Sequence, residues 1–313
     1  MLDLTKGWEE YRMQPEQDRG SISSKNKGMR WWAAVLSSWG IFVVALFAAT
    51  AVGQTVSRMG GSQLIVHGLQ AVLLTSIVVP LLYWLLKKSG RKPFRAIGLS
   101  SVKQAVLPCM AGAGLVIILS GSGFAIAEWL GWIHITEFHF SIQLLSTAML
   151  NVVIAFFYEA LPEELSFRGA VYSALGERFS RIAALFLQPV LFTLAPVAVT
   201  GLHRLTGFEP ASISVDYIIL LLTFGFILQL LRLVTDSLWT SIGFHLAYLF
   251  TTRFIVLQRE TRFLTYEEMV PGTGELFIIF VMTLLVGILI LLTLGIVRRR
   301  TIGWRKTGGY KHV

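Results

Sequence analysis

Residues 31–53 read WWAAVLSSWGIFVVALFAATAVG and decide the fold class of this chain. The stretch carries no charged side chain and exceeds the roughly 20 apolar residues that a helix needs to cross a bilayer. Backbone groups in lipid must be hydrogen-bonded within the protein, so the stretch should be helical. Seven more mainly apolar stretches follow, at approximately 64–86, 104–127, 142–162, 182–201, 215–235, 238–257 and 274–297. The sequence therefore predicts an all-α polytopic membrane protein with about eight transmembrane helices.

The overall composition agrees with this fold class. Of the 313 residues, 54% are hydrophobic and 14% are charged, whereas about a quarter of the residues in a soluble domain are charged. The net charge of +9 does not indicate nucleic-acid binding, because the basic residues lie at the ends of apolar stretches. The single cysteine, Cys109, cannot build a disulfide framework or a thiolate metal site. We expect it to be a small buried hydrophobic residue.

Lysine and arginine are distributed unevenly between alternate connecting segments. If the N-terminus is cytoplasmic, 22 of the 27 basic residues fall in the cytoplasmic segments 1–30, 87–103, 163–181, 232–237 and 298–313. This imbalance follows the positive-inside rule and places both termini in the cytoplasm. An even number of spans is consistent with that orientation.

A cluster of acidic residues lies where the fourth span meets a more polar helical stretch that runs through Arg181. Residues 156–172 read FFYEALPEELSFRGAVY. Charges inside a span are expensive and therefore informative. On an α-helix, Glu164 can form an ion pair with Arg168 four residues later, and Glu159 shares a face with Glu163.

The two adjacent carboxylates, Glu163 and Glu164, point about 100° apart on an α-helix. One can therefore face a cavity while arginine holds the other, an arrangement that suits general acid–base catalysis. The alternative is a structural charge cluster at the cytoplasmic end of the span.

A second candidate is His245 in DSLWTSIGFHLAYLF, residues 236–250. It lies roughly 13 Å of helix from the inner surface, so it and the glutamates can share the inner half of the bilayer. A lone histidine in a membrane more often makes a hydrogen bond between helices, but nearby carboxylates favour a catalytic role. We expect the other histidines to be loop residues: His67, His134, His139, His203 and His312.

The run EELSFRG, residues 163–169, resembles the EExxxR signature of the CAAX-protease and bacteriocin-processing family, also called Abi proteins. The segment DSLWTSIGFH resembles a downstream motif of that family and has the correct spacing. The resemblance covers about residues 142–257 and implies a multi-span intramembrane protease in which a glutamate activates water. Histidines of the family help to bind that water or to stabilise the oxyanion, and a metal role has been proposed instead.

The chain departs from the family pattern at two positions. The FxxxH helix of the family corresponds to Phe192 followed by Pro196 where the histidine is expected. The asparagine expected four residues after His245 is Leu249. His203 lies on nearly the same face as Pro196 but about 10 Å further along the helix, so we do not expect it to substitute.

We therefore predict an intramembrane endopeptidase with the catalytic residues Glu163, Glu164, Arg168 and His245. Its substrate would be a membrane-associated protein or peptide, and its location the lipid bilayer of the bacterial plasma membrane, with several passes. A divalent metal has weak support, because catalytic zinc usually takes three protein ligands. We predict four regions: a cytoplasmic tail at 1–30, N-terminal transmembrane helices at 31–141, a family-like core at 142–257, and a last helix with a basic cytoplasmic tail at 258–313.

Two other classes of function stay open at this point. The first is a catalytically impaired member of the family that acts as a membrane scaffold or regulator, which the residues Pro196 and Leu249 favour. The second is a proton-coupled transporter with Glu159 and Glu163 on its path. Transporters often contain inverted repeats with broken helices, and the sequence shows no second copy of the glutamate-bearing segment.

Overall fold

The computed structural model describes residues 29–88, 94 and 97–297, apart from the side chain of Val102. Three parts of the chain lie outside the described residues. They are the predicted N-terminal tail up to residue 28, part of the cytoplasmic segment 87–103, and the C-terminal tail after residue 297. The described residues form eight helices: α1 Trp31–Arg58, α2 Gln63–Lys88, α3 Val102–Trp129, α4 Ile142–Leu175, α5 Arg181–Thr206, α6 Val215–Thr235, α7 Leu238–Thr251 and α8 Thr273–Val297.

Within the described part of the chain, seven of these helices are long and apolar enough to cross a membrane. The exception is α7, which continues as a π-helical turn through Thr252–Val256 and carries both His245 and Arg253. Much of α7 is buried among the other helices, so its polar residues face protein. The predicted all-α polytopic membrane fold is confirmed.

Serine residues begin the four helices that build the centre of the bundle. In each case the side chain accepts a hydrogen bond from a backbone N–H in the first turn. Such an N–H has no carbonyl partner within the helix, so the serine satisfies it. These serines are Ser141, Ser180, Ser214 and Ser237, before α4, α5, α6 and α7. Asp236, with φ of +54°, ends α6. The turn to α7 is therefore short, and the two helices are antiparallel neighbours.

The acidic segment lies inside one continuous helix. We predicted a span that ends near residue 162 and a more polar helical stretch through Arg181, and α4 combines the two over Ile142–Leu175. Two parts of it, Phe156–Ala160 and Glu164–Val171, are π-helical. Of the charged residues in this segment, Glu159, Glu164 and Arg168 are paired within the protein, which lowers their cost in a membrane.

A small antiparallel sheet, which the sequence did not predict, joins two connecting segments. Strand β1, Ile133–Phe138, pairs with β2, Leu264–Glu268. We call the end of the bundle that carries this sheet the sheet end, and the opposite end, with the Asp236 turn, the turn end. The pairing requires both segments to lie on one side of the membrane. The topology predicted above places them together on the outer side.

Close contact between α3 and α7 fixes the position of His245. Gly112 faces the main chain of Thr240, and Gly243 faces the main chain of Cys109. A side chain at either glycine would overlap the other helix, so the two backbones approach as only glycine permits. We expected Cys109 to be buried, and its side chain is only partly buried. The tight packing brings α7 into the middle of the bundle, beside α4.

Candidate active site

Three of the four predicted residues meet in the centre of the bundle. Oε1 of Glu164 lies 3.2 Å from Nη1 of Arg168 on the next turn of α4 and 3.3 Å from Nδ1 of His245 on α7. The side chains of Glu164 and Arg168 are 0% exposed, and that of His245 is 3% exposed. The ion pair that the four-residue spacing favoured is therefore present, and α7 supplies its third member.

Aromatic rings enclose this cluster. The guanidinium carbon of Arg168 lies 4.3 Å from the centre of the Phe192 ring, a distance typical of a cation–π contact. Phe192 also packs edge-on against Phe167, and Phe224 packs edge-on against the imidazole of His245. These rings leave Arg168 and His245 little freedom to turn. The apolar surroundings also strengthen electrostatic interactions within the cluster.

The hydrogen-bonding capacity of the cluster is only partly used. Among the described residues, Oε2 of Glu164 and all three guanidinium nitrogens of Arg168 have no hydrogen-bond partner. The contact of Arg168 with Glu164 is thus an ion pair whose geometry is not that of a hydrogen bond. Buried polar groups in native proteins are nearly always paired, and unpaired ones often mark functional sites or ordered water. This cluster has the character of a working site rather than a structural tie.

The π-helical geometry of α4 sets the directions of these side chains. In a π-helix the backbone hydrogen bond reaches five residues back instead of four, and such turns recur at functional sites. The α-helical spacing used above therefore describes this segment only approximately. Pro162, which has no N–H to donate, lies between the two π-helical parts.

Glu163, the fourth predicted residue, does not join the cluster. Its side chain is partly exposed, and it forms no ion pair with any described residue. It lies within electrostatic range of Arg168, Glu164, Glu159 and Arg253. One carboxylate of the adjacent pair is therefore held by arginine while the other is free, as the sequence suggested. That Glu163 and His245 share one cavity stays a prediction.

A second ion pair, which the sequence analysis missed, lies nearer the sheet end. Nη2 of Arg253 donates to both carboxylate oxygens of Glu159 at 2.7 Å, and Nη1 lies 3.3 Å from Oδ1 of Asn151. In the predicted topology Arg253 is one of the five basic residues outside the cytoplasmic segments. The signal that could have found the pair was Glu159 itself, because an acid within a span needs a partner. Because Arg253 holds both oxygens of Glu159, Glu159 is not a free carboxylate beside Glu163.

The two departures from the family pattern are not compensated by His203. Its imidazole is buried near the sheet end, where Nε2 lies 3.0 Å from Oγ1 of Thr50 on α1. His67 and His203 lie on helices and His134 on β1, so the expectation of loop positions was wrong for these three. His312 lies outside the described residues.

The residues of the cluster do not form a catalytic metal site. Catalytic zinc takes three protein ligands, and the cluster offers one carboxylate and one imidazole. Among residues 29–88 and 97–297, no three His, Cys, Asp or Glu side chains are grouped to hold a metal ion. The chemistry proposed below therefore takes no step through a metal.

An apolar groove of about 470 Å³ lies on the other side of α7, between α3 and the start of α4. Residues that line it include Cys109, Phe124, Val152, Gly243 and Phe250. It lies among helices that are apolar enough to cross a membrane. A hydrocarbon chain could therefore occupy it at little cost in desolvation.

Comparison with known proteins bears on residues 143–251. A family model described as Type II CAAX prenyl endopeptidase Rce1-like matches this segment, about a third of the chain. No curated protein and no solved structure matches the chain. The matched segment contains the buried cluster, Glu159 of the second ion pair, and Gly243, which contacts α3. The match confirms the resemblance that EELSFRG carried and supports a CAAX-type intramembrane protease as the kind of function. Over residues 143–251, this multi-pass integral membrane protein is similar to the Rce1-like family of type II CAAX prenyl endopeptidases.

Proposed function

We propose that this protein is an intramembrane endopeptidase that hydrolyses a peptide bond in a prenylated, membrane-associated peptide. The observation that carries the proposal is the buried contact of Glu164 with both Arg168 and His245, beside the unpaired carboxylate of Glu163. Two adjacent acids with different partners can perform different tasks, because only the free one can exchange a proton readily. The substrate class comes from the family match.

In this mechanism Glu164 positions His245. The carboxylate accepts a hydrogen bond from Nδ1–H, which fixes the tautomer and leaves the lone pair of Nε2 to accept a hydrogen bond from water. The positive charge of Arg168 holds the Glu164 carboxylate in place. The aromatic rings of Phe192 and Phe224 hold the arginine and the imidazole in place.

Glu163 acts as the general base. Its carboxylate removes a proton from the water as the water oxygen attacks the carbonyl carbon of the scissile bond. The negative charge that forms on the carbonyl oxygen is stabilised by the field of Arg168, whose N–H groups are unused in the described structure. Glu163 then returns the proton to the amine as the C–N bond breaks, which yields one carboxylate and one amine.

The reaction class can be tested with the full-length protein in detergent. A farnesylated CAAX peptide would be incubated with the protein in H₂¹⁸O, and the products analysed by mass spectrometry. We expect cleavage with one ¹⁸O in the new carboxylate. The same peptide without farnesyl serves as the control for the prenyl group and should be cut more slowly, because it cannot fill the apolar groove.

One observation favours a second function. Pro196 and Leu249 stand where the family pattern has histidine and asparagine, so the chain could serve as a scaffold that binds prenylated peptides without cutting them. Binding of the farnesylated peptide with no product after prolonged incubation would favour this function over hydrolysis.

A further inference from the structure

Two glutamines, one on α5 and one on α6, are fully buried, and no described residue pairs with their amides. Gln188 and Gln229 are each 0% exposed. Among the residues that the structure describes, neither the amide nitrogen nor the amide oxygen of either side chain has a hydrogen-bond partner. Nearly all buried polar side chains in native proteins are paired with protein or ordered water. Four unpaired amide atoms therefore indicate bound molecules that satisfy them.

The register of the two helices places the two glutamines at neighbouring levels of the bundle. α5 and α6 are packed together, and Gly225 faces both Pro189 and Phe192. Gln188 precedes Pro189, and Gln229 lies one turn beyond Gly225 towards the turn end. α5 runs away from the turn end and α6 runs towards it, so both glutamines lie on the turn-end side of the Gly225 contact, within about one helical turn of each other in depth. A small group of waters can therefore reach both amides.

The same level adjoins the buried cluster. The Arg168 guanidinium rests on Phe192, one helical turn from Gln188. Ser173 lies about one turn beyond Arg168 on α4, and its hydroxyl is also buried without a partner among the described residues. Unpaired groups thus continue from Oε2 of Glu164 through Arg168 to Gln188, Gln229 and Ser173. They run from the cluster towards the turn end of the bundle.

We propose that Gln188, Gln229 and Ser173 bind a small group of internal waters that connects the turn end with Arg168 and Glu164. Amides and hydroxyls offer both donors and acceptors, which suits water, whereas an ion would need a balancing charge. Buried water typically makes about three hydrogen bonds to otherwise unpaired groups. If the chain is a hydrolase, as proposed above, these glutamines are positioning residues that keep the reacting water supplied.

Water at this place can be detected without any enzyme assay. In a Cys109→Ser background, Gln188→Cys and Gln229→Cys would be exposed to a small cationic methanethiosulfonate reagent. Leu185→Cys and Leu230→Cys, from buried neighbours on the same helices, are the matched controls. Because only a hydrated thiol ionises and reacts, we expect the glutamine positions to be modified at least about 10-fold faster. Equal rates at all four positions would overturn the proposal.

A second measurement covers the case in which the cysteine variants fail to fold. With water present, Gln188→Leu removes satisfied hydrogen bonds and should lower the unfolding temperature. Without water, the same change removes an unpaired amide and should raise it. A rise would overturn the proposal. Fast modification of Gln229→Cys in a protein that cuts no peptide would instead retain the water site and reject the proposed hydrolase.

Discussion

Two charged clusters join α4 to α7, and they differ in every property that matters for chemistry. The cluster of Glu164, Arg168 and His245 is fully enclosed and leaves several polar atoms unpaired. The pair of Glu159 and Arg253, nearer the sheet end, is 22% and 25% exposed, and both carboxylate oxygens are paired at 2.7 Å.

We interpret this difference as that between a structural contact and the proposed active site. A bidentate pair with its oxygens satisfied has reached its energy minimum and gains nothing from further partners. A buried cluster with unused donors is held in place by its surroundings and retains the capacity to bind another group. The predictions below test this distinction.

The largest expected effect is on stability, from loss of Arg168. Arg168→Met would leave the buried Glu164 with only His245, and breaking a buried pair typically costs about 3–5 kcal/mol. Arg253→Met is the matched control, because its pair is partly exposed and should contribute no more than about 1 kcal/mol. Thermal unfolding in detergent measures both. A larger loss for Arg253→Met would reverse the roles of the two clusters.

The next effect concerns catalysis, where removal of the His245 imidazole should lower the activity. His245→Gln retains an N–H for Glu164 but has no ring nitrogen to orient water, so kcat for the farnesylated peptide should fall roughly 10²–10³-fold. His203→Gln is the control, since that histidine contacts Thr50 far from the cluster. Equal losses for the two variants would mean that His245 only supports the fold.

A smaller effect concerns the sheet end. The Tyr266 hydroxyl donates to the backbone oxygen of Val256 at 2.8 Å, and Tyr266→Phe should cost about 1 kcal/mol. Burial, assisted by the negative charge of Glu268, raises the pKa of Tyr266 from about 10 to about 12. The stability that it contributes is therefore fully present below pH 10 and is lost as the pH rises to about 12.

Unfolding temperatures at pH 9 and pH 11 measure this dependence. The wild type should lose more stability between the two values than Tyr266→Phe does. Tyr83→Phe, on α2, controls for titration of other phenols. An identical pH dependence in wild type and Tyr266→Phe would refute the assignment.

The smallest effect is expected for Glu159→Gln. Because Arg253 already holds this carboxylate, its removal should change peptide cleavage by less than about 3-fold. The same variant addresses the transporter hypothesis. Proton-coupled uptake into liposomes that depends on Glu159 would show that this pair lies on a transport path and that the comparison above is incorrect.

Much of this architecture could be predicted from the sequence. Hydropathy located the spans, because the bilayer core disfavours polar side chains. The four-residue spacing of Glu164 and Arg168 predicted their ion pair. The burial of Glu164 and Arg168 could not be predicted in this way. Hydropathy treats Glu163, Glu164 and Arg168 as exposed to lipid or water, whereas their neighbours in the bundle determine their cost.

Other features depend on contacts between distant segments. The sheet forms because α3 and α7 bring Ile133 and Glu268 to the same end of the bundle. The ion pair of Arg253 with Glu159 joins residues 94 positions apart. The sequence also does not reveal that the side chains of Gln188 and Gln229 are fully buried, because their burial depends on the packing of neighbouring helices.

Cleavage of the farnesylated CAAX peptide by Glu163→Gln tests the central claim most directly. Glu267→Gln, an exposed change on β2, is the matched control. The account predicts a fall in kcat of roughly 10²–10⁴-fold for Glu163→Gln, with an unchanged unfolding temperature and normal activity in the control. Activity within a few-fold of wild type in Glu163→Gln would contradict the assignment of Glu163 as the general base.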